Sequence, residues 1–207
     1  MDDKEYWTKF YSTNPQLNNP STFARFAIDY LDEGKNLIDM GCGNGRDTVF
    51  FALNNINALG VDQVETEIDN LNKSHNENDK LNFKADDFTR LDPAETKYDY
   101  VYSRFTFHSI PEKNEDMTLD WIEENIQKDG LFLLEARSIK DPMFQKVRKL
   151  SDDENCTDHY RRYLHFDKII QKIEDHGFEI VYKVESDGLA VYKDDDPVVI
   201  RVIAKKL

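Results

Sequence analysis

The sequence is poor in cysteine and has no long apolar run. Its two cysteines are Cys42 and Cys156, and neither has the neighbouring ligands of a zinc site. Their separation along the chain argues against a structural disulfide and fits a reducing compartment. No segment approaches the roughly 18 uninterrupted apolar residues of a membrane span, and the N-terminus is too polar for a signal peptide. We therefore expect a soluble, cytoplasmic protein without a metal site.

Basic residues are also scarce. Lysine and arginine number 27 against 41 aspartates and glutamates, which gives a net charge of −14. Nonspecific binding to nucleic acid or to an anionic membrane requires a positive field, so we expect neither partner. A local basic pocket for a small anion is still compatible with this charge. The length of 207 residues, of which 39% are hydrophobic, predicts one globular domain over residues 1–207.

The chain is organised around the stretch from Leu37 to Asp47, LIDMGCGNGRD. A short apolar run with the length of a buried strand leads into Gly41, Gly43 and Gly45, and a helix-like pattern follows from Thr48. Glycines between a strand and a helix permit a tight turn and let the backbone approach a ligand. The helix N-terminus adds free N–H groups. This stretch therefore predicts a ligand-binding turn.

A second short run, Ile56 to Val61, ends in Asp62, 21 residues beyond Gly41. A second parallel strand would place that carboxylate against a ribose diol. The turn reads G-C-G-N-G rather than the G-x-G-x-x-G of dinucleotide binders, and no phosphate-binding lysine accompanies it. Together these features resemble the class I S-adenosylmethionine (SAM)-dependent methyltransferases. The alternative is a glycine turn in another α/β protein.

The apolar pattern predicts an α/β fold: a Rossmann-like, seven-stranded, mostly parallel sheet with an antiparallel last strand and helices on both faces. The predicted strands are 37–40, 56–61, 81–85, 98–103, 131–136, 178–184 and 198–204. The link before the last strand is too short for a crossover, so that strand must be antiparallel. Among the helices, we expect Ser21 and Asp167 as N-caps and a helix through Trp121 that stops at Asp129-Gly130.

Two segments are predicted to cover the sheet. Residues 1–35 form an N-terminal helical cover, in which aromatic pairs recur at helical spacing. By resemblance, Trp7 and Tyr11 close the SAM pocket; packing over a sheet edge is the alternative. Residues 138–166 form a long, charged, lid-like insertion.

The resemblance implies SAM as cofactor and S-adenosylhomocysteine as product, bound at the carboxyl ends of the strands. It assigns the cofactor contacts to Trp7, Tyr11, Asp39, Gly41, Cys42, Gly43, Arg46, Asp62, Asp86, Asp87, Phe88 and Ser103. Asp62 is expected to accept the ribose hydroxyls, and Asp39 to lie near the amine. Asp86 is expected to receive the adenine amine while Asp87 caps a helix, although the two acids can exchange roles. Arg46 binds the SAM carboxylate or is an ordinary helix residue.

The catalytic candidates follow the fourth strand. Methyl transfer depends mainly on alignment of acceptor, methyl and sulfur, and an oxygen or amine acceptor must also lose a proton. His108 is the predicted general base, with packing of the following helix as the alternative. Arg104 is expected beside it. The N-P-P-Y motif of amide and nucleobase methylases is absent, because Ser103-Arg104-Phe105-Thr106 stands in its place.

The predicted acceptor site is basic. Arginine suits bidentate capture of carboxylate or phosphate, so we expect the acceptor to be held by Arg104, Arg137, Tyr160 and one of Arg161 or Arg162. The alternative for the last two is that they pair with lid acids and only order the lid.

These residues predict an O-methyltransferase acting on a small anionic metabolite. The chain is similar to tellurite-resistance and thiopurine-type enzymes, and to bacterial enzymes that modify cell-surface sugars, which makes a polysaccharide precursor one expected acceptor. N- or S-methylation of a small molecule and a catalytically silent SAM-binding module are the alternatives. The expected oligomeric state is a monomer or a homodimer.

Overall fold

The computed structural model describes residues 3–13, 19–145, 151–156 and 160–207. The strands within them are β1 (Asn36–Met40), β2 (Asn57–Asp62), β3 (Leu81–Ala85), β4 (Tyr98–Arg104), β5 (Ile126–Arg137), β6 (Glu154–Cys156), β7 (Tyr160–Arg162), β8 (Phe178–Ser186) and β9 (Val199–Lys206). The α-helices are α1 (Asp3–Thr13), α2 (Thr22–Ala27), α3 (Arg46–Leu53), α4 (Glu65–Ser74), α5 (Glu112–Asn125), α6 (Pro142–Gln145) and α7 (Phe166–Asp175). None of the described helices is long and apolar enough to cross a membrane.

Seven strands form one sheet in the order β3-β2-β1-β4-β5-β9-β8. Strands β1 to β5 are parallel to their neighbours in this group, whereas β9 is antiparallel to both β5 and β8. The link between β8 and β9, residues 187–198, is too short to carry a crossover, which forces the reversal. The predicted fold class is therefore confirmed. Strands β6 and β7 form a separate two-stranded hairpin.

Apolar side chains cover both faces of the sheet. Phe132, Leu133 and Leu134 in the central strand β5 are 0% exposed, as a parallel sheet with helices on both sides requires. One core cluster packs residues of α5 and α7 against the sheet, and a second packs residues of α2, α3 and α4. The helices therefore leave the carboxyl ends of the strands as the open rim of the sheet.

The predicted end of the helix through Trp121 is wrong. Helix α5 ends at Asn125 rather than at Asp129-Gly130, because β5 already begins at Ile126, which pairs with Tyr98. Asp129, at φ +64°, lies in the irregular first part of that strand.

The predicted caps have different outcomes. Ser21 caps α2, since its Oγ accepts a hydrogen bond from the Ala24 N–H at 2.9 Å. Asp167 does not cap α7, which begins one residue earlier and has His165 at its N-cap without a side-chain bond. Asp167 lies instead in the first helical turn, where a negative charge is favourable.

The predicted lid-like insertion, residues 138–166, contains helix α6 and the β6–β7 hairpin. Residues 146–150 and 157–159 of this insertion lie outside the described residues. The helical cover predicted for residues 1–35 contains α1 and α2. The assignment of residues 1–207 to one domain with a cover and a lid stays a prediction.

Candidate active site

A cleft of about 1090 Å³ opens at the carboxyl ends of the parallel strands. Its walls come from the loops that follow β1 to β5, from helix α1 and from the link between β8 and β9. The cleft lies where the strand order reverses, between β1 and β4. Ligands of open α/β sheets bind at this position.

The glycine turn after β1 holds the backbone close to the cleft. Gly41, Gly43 and Gly45 have φ values of +76°, +56° and +72°, a region that favours glycine. The N–H groups of Gly41 and Cys42 donate to the Val61 carbonyl at 2.8 and 2.9 Å, which fixes the turn against β2. Gly41, Cys42 and Gly43 line the cleft, whereas Gly45 is the N-cap of α3.

Asp62, at the end of β2, presents a buried carboxylate to the cleft. It is 7% exposed and accepts hydrogen bonds from the N–H groups of Gly43 at 2.9 Å and Val64 at 3.0 Å. Burial raises the pKa of Asp62, and these backbone donors oppose the rise. A carboxylate has about four acceptor positions, so Asp62 retains capacity for the hydroxyl groups of a ligand.

Asp39 is the most deeply buried acid of the cleft wall, at 2% exposure. Its Oδ2 accepts a hydrogen bond from Thr48 Oγ1 at 2.7 Å. Burial, followed by the neighbouring Asp47 carboxylate, raises the pKa of Asp39 to about 8. Asp39 is therefore mostly protonated at neutral pH in the ligand-free protein, and a cation nearby would favour its charged form.

Asp47 is a cleft residue that sequence reasoning missed. Its carboxylate accepts hydrogen bonds from the backbone N–H and the Oγ of Ser21, both at 2.7 Å, and from the Tyr102 hydroxyl at 2.8 Å. These bonds tie the start of α2 to the start of α3. The acid ends the glycine motif, but its partners lie 26 and 55 residues away in the chain, so the sequence carried no signal for the contact.

Helix α1 forms one side of the cleft. Trp7 and Tyr11 both line it, with their ring centroids 6.0 Å apart. The Tyr11 hydroxyl oxygen lies 2.6 Å from the position that a Cβ on Gly43 would occupy. The structure thus places Tyr11 next to the glycine turn, with Trp7 stacked on it.

The two acids after β3 have exchanged their predicted positions. Asp87 lines the cleft beside Phe88, and its Oδ1 also caps the following turn by accepting from the Thr89 N–H at 3.0 Å. Asp86 is outside the described cleft wall, because its carboxylate forms an ion pair with Lys84 at 2.6 Å. Asp87 is therefore the better placed of the two acids for the adenine amine, which is the exchange that the sequence left open, and this role stays a prediction.

The segment after β4 corrects the prediction for Ser103. Ser103 is 0% exposed and its hydroxyl is hydrogen-bonded to that of Thr106, so it packs behind the cleft rather than facing it. Arg104, Phe105 and Thr106 line the cleft instead. Phe105 has φ +58°, an uncommon value for a non-glycine residue, and its N–H donates to the Glu135 carbonyl at 2.8 Å.

Arg104 and Arg201 share one buried carboxylate. Arg104 Nε donates to Glu135 Oε1 at 2.9 Å, and Arg201 Nε donates to Glu135 Oε2 at 2.6 Å. Glu135 itself is 0% exposed. Because one negative charge faces two positive charges, this cluster keeps a net positive charge. Among the described residues, Arg104 makes its hydrogen bond through Nε alone, and it lines the cleft.

Arg46 adds a second guanidinium to the same cleft. Its closest ion-pair distance is the 3.9 Å between Nε and Asp47 Oδ1, which is too long for a hydrogen bond. Burial and the charge of Arg104 lower the pKa of Arg46. The two like charges are therefore close enough to repel each other, and an anionic ligand between them would relieve that repulsion.

Arg137 lines the cleft, but its charge is already neutralised. One terminal nitrogen donates to Asp141 at 2.6 Å and the other donates to Asp195. These carboxylates raise the pKa of Arg137 against the opposing effect of burial. The prediction that Arg137 holds the acceptor is corrected: its side chain joins the end of β5 to the link between β8 and β9.

The lid hairpin separates its two arginines. Arg161 lines the cleft, whereas Arg162 is 5% exposed and ion-paired with Glu115 of α5. Neighbouring side chains of a strand point to opposite faces, so only one of the pair can face the cleft. Tyr160 is also removed from the described cleft wall, since its hydroxyl donates to Glu154 at 2.5 Å across the hairpin. The acceptor assignments of Arg162 and Tyr160 are corrected accordingly.

His108 lines the cleft and is 5% exposed. Its Nδ1 accepts a long hydrogen bond of 3.4 Å from the Arg137 N–H, and its ring meets the Phe105 ring edge-on at 5.2 Å. A neutral imidazole that accepts at Nδ1 carries its proton on Nε2. This tautomer, assigned from the hydrogen bond, is a donor at Nε2. The general-base role of His108 requires the other tautomer and stays a prediction.

The link between β8 and β9 contributes a wall that sequence reasoning missed. Val191, Tyr192 and Lys193 line the cleft. In the sequence, only the acidic turn 194–197 marked this segment, and that turn gave no indication of ligand binding.

Sequence comparison identifies the family. A family model described as a methyltransferase domain matches residues 16–183. No curated protein sequence matches the chain.

Solved structures share the fold at low sequence identity. A SAM-dependent methyltransferase from Methanosarcina mazei is 16% identical, with 88% of this chain and 97% of that chain covered and a TM-score of 0.76. The CcbJ methyltransferase from Streptomyces caelestis is 16% identical, with 100% and 99% covered and a TM-score of 0.75. TehB from Haemophilus influenzae is 17% identical, with 99% and 67% covered and a TM-score of 0.70. The chain therefore belongs to the methyltransferase domain family and has the Rossmann-like fold of the SAM-dependent enzymes.

Proposed function

We propose that the protein transfers a methyl group from SAM to an oxygen atom of a small anionic acceptor. The observation that carries this proposal is the division of one cleft into an acidic end and a basic end. Asp39 lies near the end of β1, Asp62 ends β2 and Asp87 follows β3. On the other side, Arg104 ends β4 and Arg161 lies on the lid hairpin. The acidic end suits a cationic ligand and the basic end suits an anionic ligand. The two ligands would react where the two ends of the cleft adjoin.

The acidic end has the hydrogen-bond acceptors that SAM requires. SAM, when bound, supplies an electrophilic methyl group on a positively charged sulfonium. The buried Asp62 carboxylate has acceptor positions for ribose hydroxyls, and the glycine turn brings bare backbone to the cleft. Asp39 adds a carboxylate for a cationic amine. The same acids would repel the diphosphate of NAD. A neighbouring fold, the glycopeptide N-methyltransferase MtfA, has been solved in complex with SAM.

The basic end supports an anionic acceptor. Arg104 belongs to a cluster with a net positive charge, and its described hydrogen bond uses Nε alone, so its other N–H groups can donate to a ligand. The charges of Arg46 and Arg104 repel each other, and a bound anion would relieve this repulsion. A positive field also lowers the pKa of an acceptor hydroxyl and stabilises its oxyanion. An oxygen held in this form is nucleophilic without a strong general base, which is consistent with the donor tautomer of His108. This field supports an oxygen as the methylated atom, and it would equally support a thiolate sulfur.

The acceptors of this class carry a phosphate or a carboxylate. An anionic precursor of a cell-surface polysaccharide belongs to it. The net charge of −14 supports a small molecule rather than nucleic acid or an anionic membrane as the partner. N- or S-methylation by the same cleft is the second candidate.

The proposal is tested by comparing acids with neutral analogues. Purified protein, SAM and a panel of hydroxylated carboxylates and phosphates, each matched to its neutral ester or alcohol, are incubated, and S-adenosylhomocysteine is measured by mass spectrometry. We expect turnover on the acid to exceed turnover on its matched neutral analogue at least tenfold. Arg104→Gln should reduce this ratio while leaving the KM for SAM nearly unchanged.

Other outcomes would contradict the proposal in different ways. Equal turnover on acids and neutral analogues would remove the anionic acceptor. A methylated nitrogen or sulfur in the product would replace the oxygen assignment. SAM binding without any S-adenosylhomocysteine formed from the panel or from a metabolite extract would favour a silent binding module.

A further inference from the structure

The link between β8 and β9 exposes apolar side chains toward the cleft. Val191 is 55% exposed and Tyr192 is 46% exposed, and both line the cleft wall. Isolated apolar residues on a convex surface require no explanation, but apolar side chains in a concave site with charged groups are the usual lining of a ligand pocket. We therefore expect these two residues to contact an apolar part of the ligand, which the arginines do not bind.

The link is held in position by hydrogen bonds. Tyr192 and Asp195 exchange backbone hydrogen bonds of 2.9 and 3.0 Å, which closes a tight turn around Lys193. The Asp195 carboxylate accepts from Arg137 at the end of β5, and the Gly188 N–H donates to Asp196 at 2.7 Å. These bonds hold the turn against the end of β5, and they keep Tyr192 beside the basic end of the cleft, where we propose that the acceptor binds.

Charged groups lie next to the exposed ring. Lys193 Nζ is 5.1 Å from the centroid of the Tyr192 ring. Elsewhere in the same wall, the guanidinium of Arg104 lies 4.3 Å from the centroid of the Phe105 ring. The acceptor end therefore presents aromatic surface and positive charge together, on two separate elements of the fold.

We propose that the acceptor is an anionic compound with a ring, and that Tyr192 is the residue that selects for this ring by packing against its face. This inference rests on the proposed function. The arginines bind the carboxylate or phosphate, and the ring packs against Tyr192. Arg137 is a positioning residue, because it acts on the acceptor through Asp195 and the link rather than by direct contact. The ring belongs to an aryl acid or to a sugar acid, since aromatic side chains pack against the face of an aryl ring and against the apolar C–H face of a sugar.

The test measures binding rather than turnover. Titration calorimetry on the protein loaded with S-adenosylhomocysteine compares inorganic phosphate, phenyl phosphate and glucose 1-phosphate. We expect at least one ring phosphate to bind about tenfold more tightly than inorganic phosphate, the gain expected from burying one ring. Preference for phenyl phosphate would identify an aryl acid, and preference for glucose 1-phosphate would identify a sugar acid.

Variants test whether this gain in affinity comes from the link between β8 and β9. Tyr192→Ala should reduce the ring preference to less than about threefold without changing the affinity for inorganic phosphate, whereas Tyr192→Phe should retain it. Asp195→Asn should also lower the preference, because the latch to Arg137 is weakened, while the affinity for S-adenosylhomocysteine stays unchanged. Val181→Ala, at an apolar residue of β8 that is 50% exposed and outside the described cleft wall, is the control.

Several results would overturn the inference. Equal affinity of the wild type for all three phosphates would show that no ring is recognised. An unchanged preference in Tyr192→Ala would remove this residue. An effect of Tyr192→Ala on self-association alone, seen by sedimentation, would assign the surface to a second copy of the chain. The phosphate comparison can be repeated without S-adenosylhomocysteine, so failure of the methyltransferase proposal is recognised separately, by the absence of cofactor binding.

Discussion

The two ends of the cleft use charge differently. At the acidic end, the carboxylates of Asp39 and Asp62 accept hydrogen bonds from neutral donors, namely a threonine hydroxyl and backbone N–H groups. At the basic end, Arg104 and Arg137 are paired with carboxylates. Neutral donors hold a carboxylate in place without cancelling its charge. An ion pair holds an arginine and cancels part or all of its charge.

This difference shows why counting charged residues misjudges a site. The acidic end retains its capacity for a cation, because a bound cation would shift Asp39 to its charged form. Arg137 faces two carboxylates and offers little to an anion. The arginines that we propose for the acceptor are Arg46 and Arg104, whose described pairing is incomplete, together with Arg161 of the lid hairpin, which lines the cleft. Five predictions test this contrast.

The largest expected effect separates the neighbouring arginines of the lid hairpin. Arg162→Ala leaves the buried Glu115 with Lys172 as its remaining described cationic partner, so we expect a loss of about 3 kcal/mol in the free energy of unfolding, measured by urea denaturation. Arg161→Ala should change stability little and raise the KM for the acceptor about tenfold, the loss of one charged hydrogen bond. Equal stability of the two variants would contradict the opposite placement of their side chains.

The second prediction compares two acids at the ends of neighbouring strands. Asp62→Asn should weaken SAM binding about 100-fold, because hydrogen bonds to a charged group contribute about 1.5–3 kcal/mol. Asp86→Asn is the matched control and should leave SAM affinity within about twofold, since Asp86 pairs with Lys84 outside the described cleft wall. Titration calorimetry measures both. Similar losses in the two variants would show that Asp86 also contacts the cofactor.

The third prediction concerns pH and Asp39. If SAM binds the ionised form of Asp39, whose pKa is about 8 in the ligand-free protein, its affinity should rise about tenfold between pH 7 and pH 9. Asp39→Asn should abolish this dependence. A wild-type affinity that is flat over this range would exclude the coupling.

The raised pKa of Asp39 also predicts how the stability of the protein changes with pH. The folded-state pKa of about 8 lies above the ordinary value of 3.8. Between these values the folded chain holds a proton that the unfolded chain has released, so stability falls as pH rises from about 4 to about 8. The slope of unfolding free energy against pH should be smaller in Asp39→Asn than in the wild type.

The smallest effect is expected at His108. As a hydrogen-bond donor at Nε2, it should be replaceable by glutamine with little loss of kcat, whereas alanine should lower kcat about fivefold. As a general base, it would lose about 100-fold or more in both variants. Initial rates for the two variants distinguish these roles, and a large loss in both would restore the general-base assignment.

The parts predicted correctly from the sequence depend on local pattern. The glycine turn, the strand that ends in Asp62 and the antiparallel last strand all follow from residues close together in the chain. The cap at Ser21 is of the same kind. In each case the physical cause, backbone conformation or burial, acts within one or two elements, so the sequence contains it.

The errors concern which face a side chain takes and what it meets there. Ser103 and Asp86 were predicted to line the cleft, but the residues that line it are their neighbours in the sequence, Arg104 and Asp87. The neutralisation of Arg137 depends on Asp195, 58 residues away. The wall formed by Tyr192 depends on the same contact. Such pairings arise only when distant segments fold together, and spacing within one segment cannot reveal them.

The strand order also divides the protein along its length. Strands β1 to β3 precede residue 93, and with them the acids that we propose for the methyl donor. The elements that we propose to surround the acceptor, except for Arg46, follow it. Substitutions in the second half can therefore redirect the enzyme to new compounds during evolution while the inherited donor chemistry of the first half stays intact. A chimera joined near Pro93 would be a direct way to exchange one specificity for another.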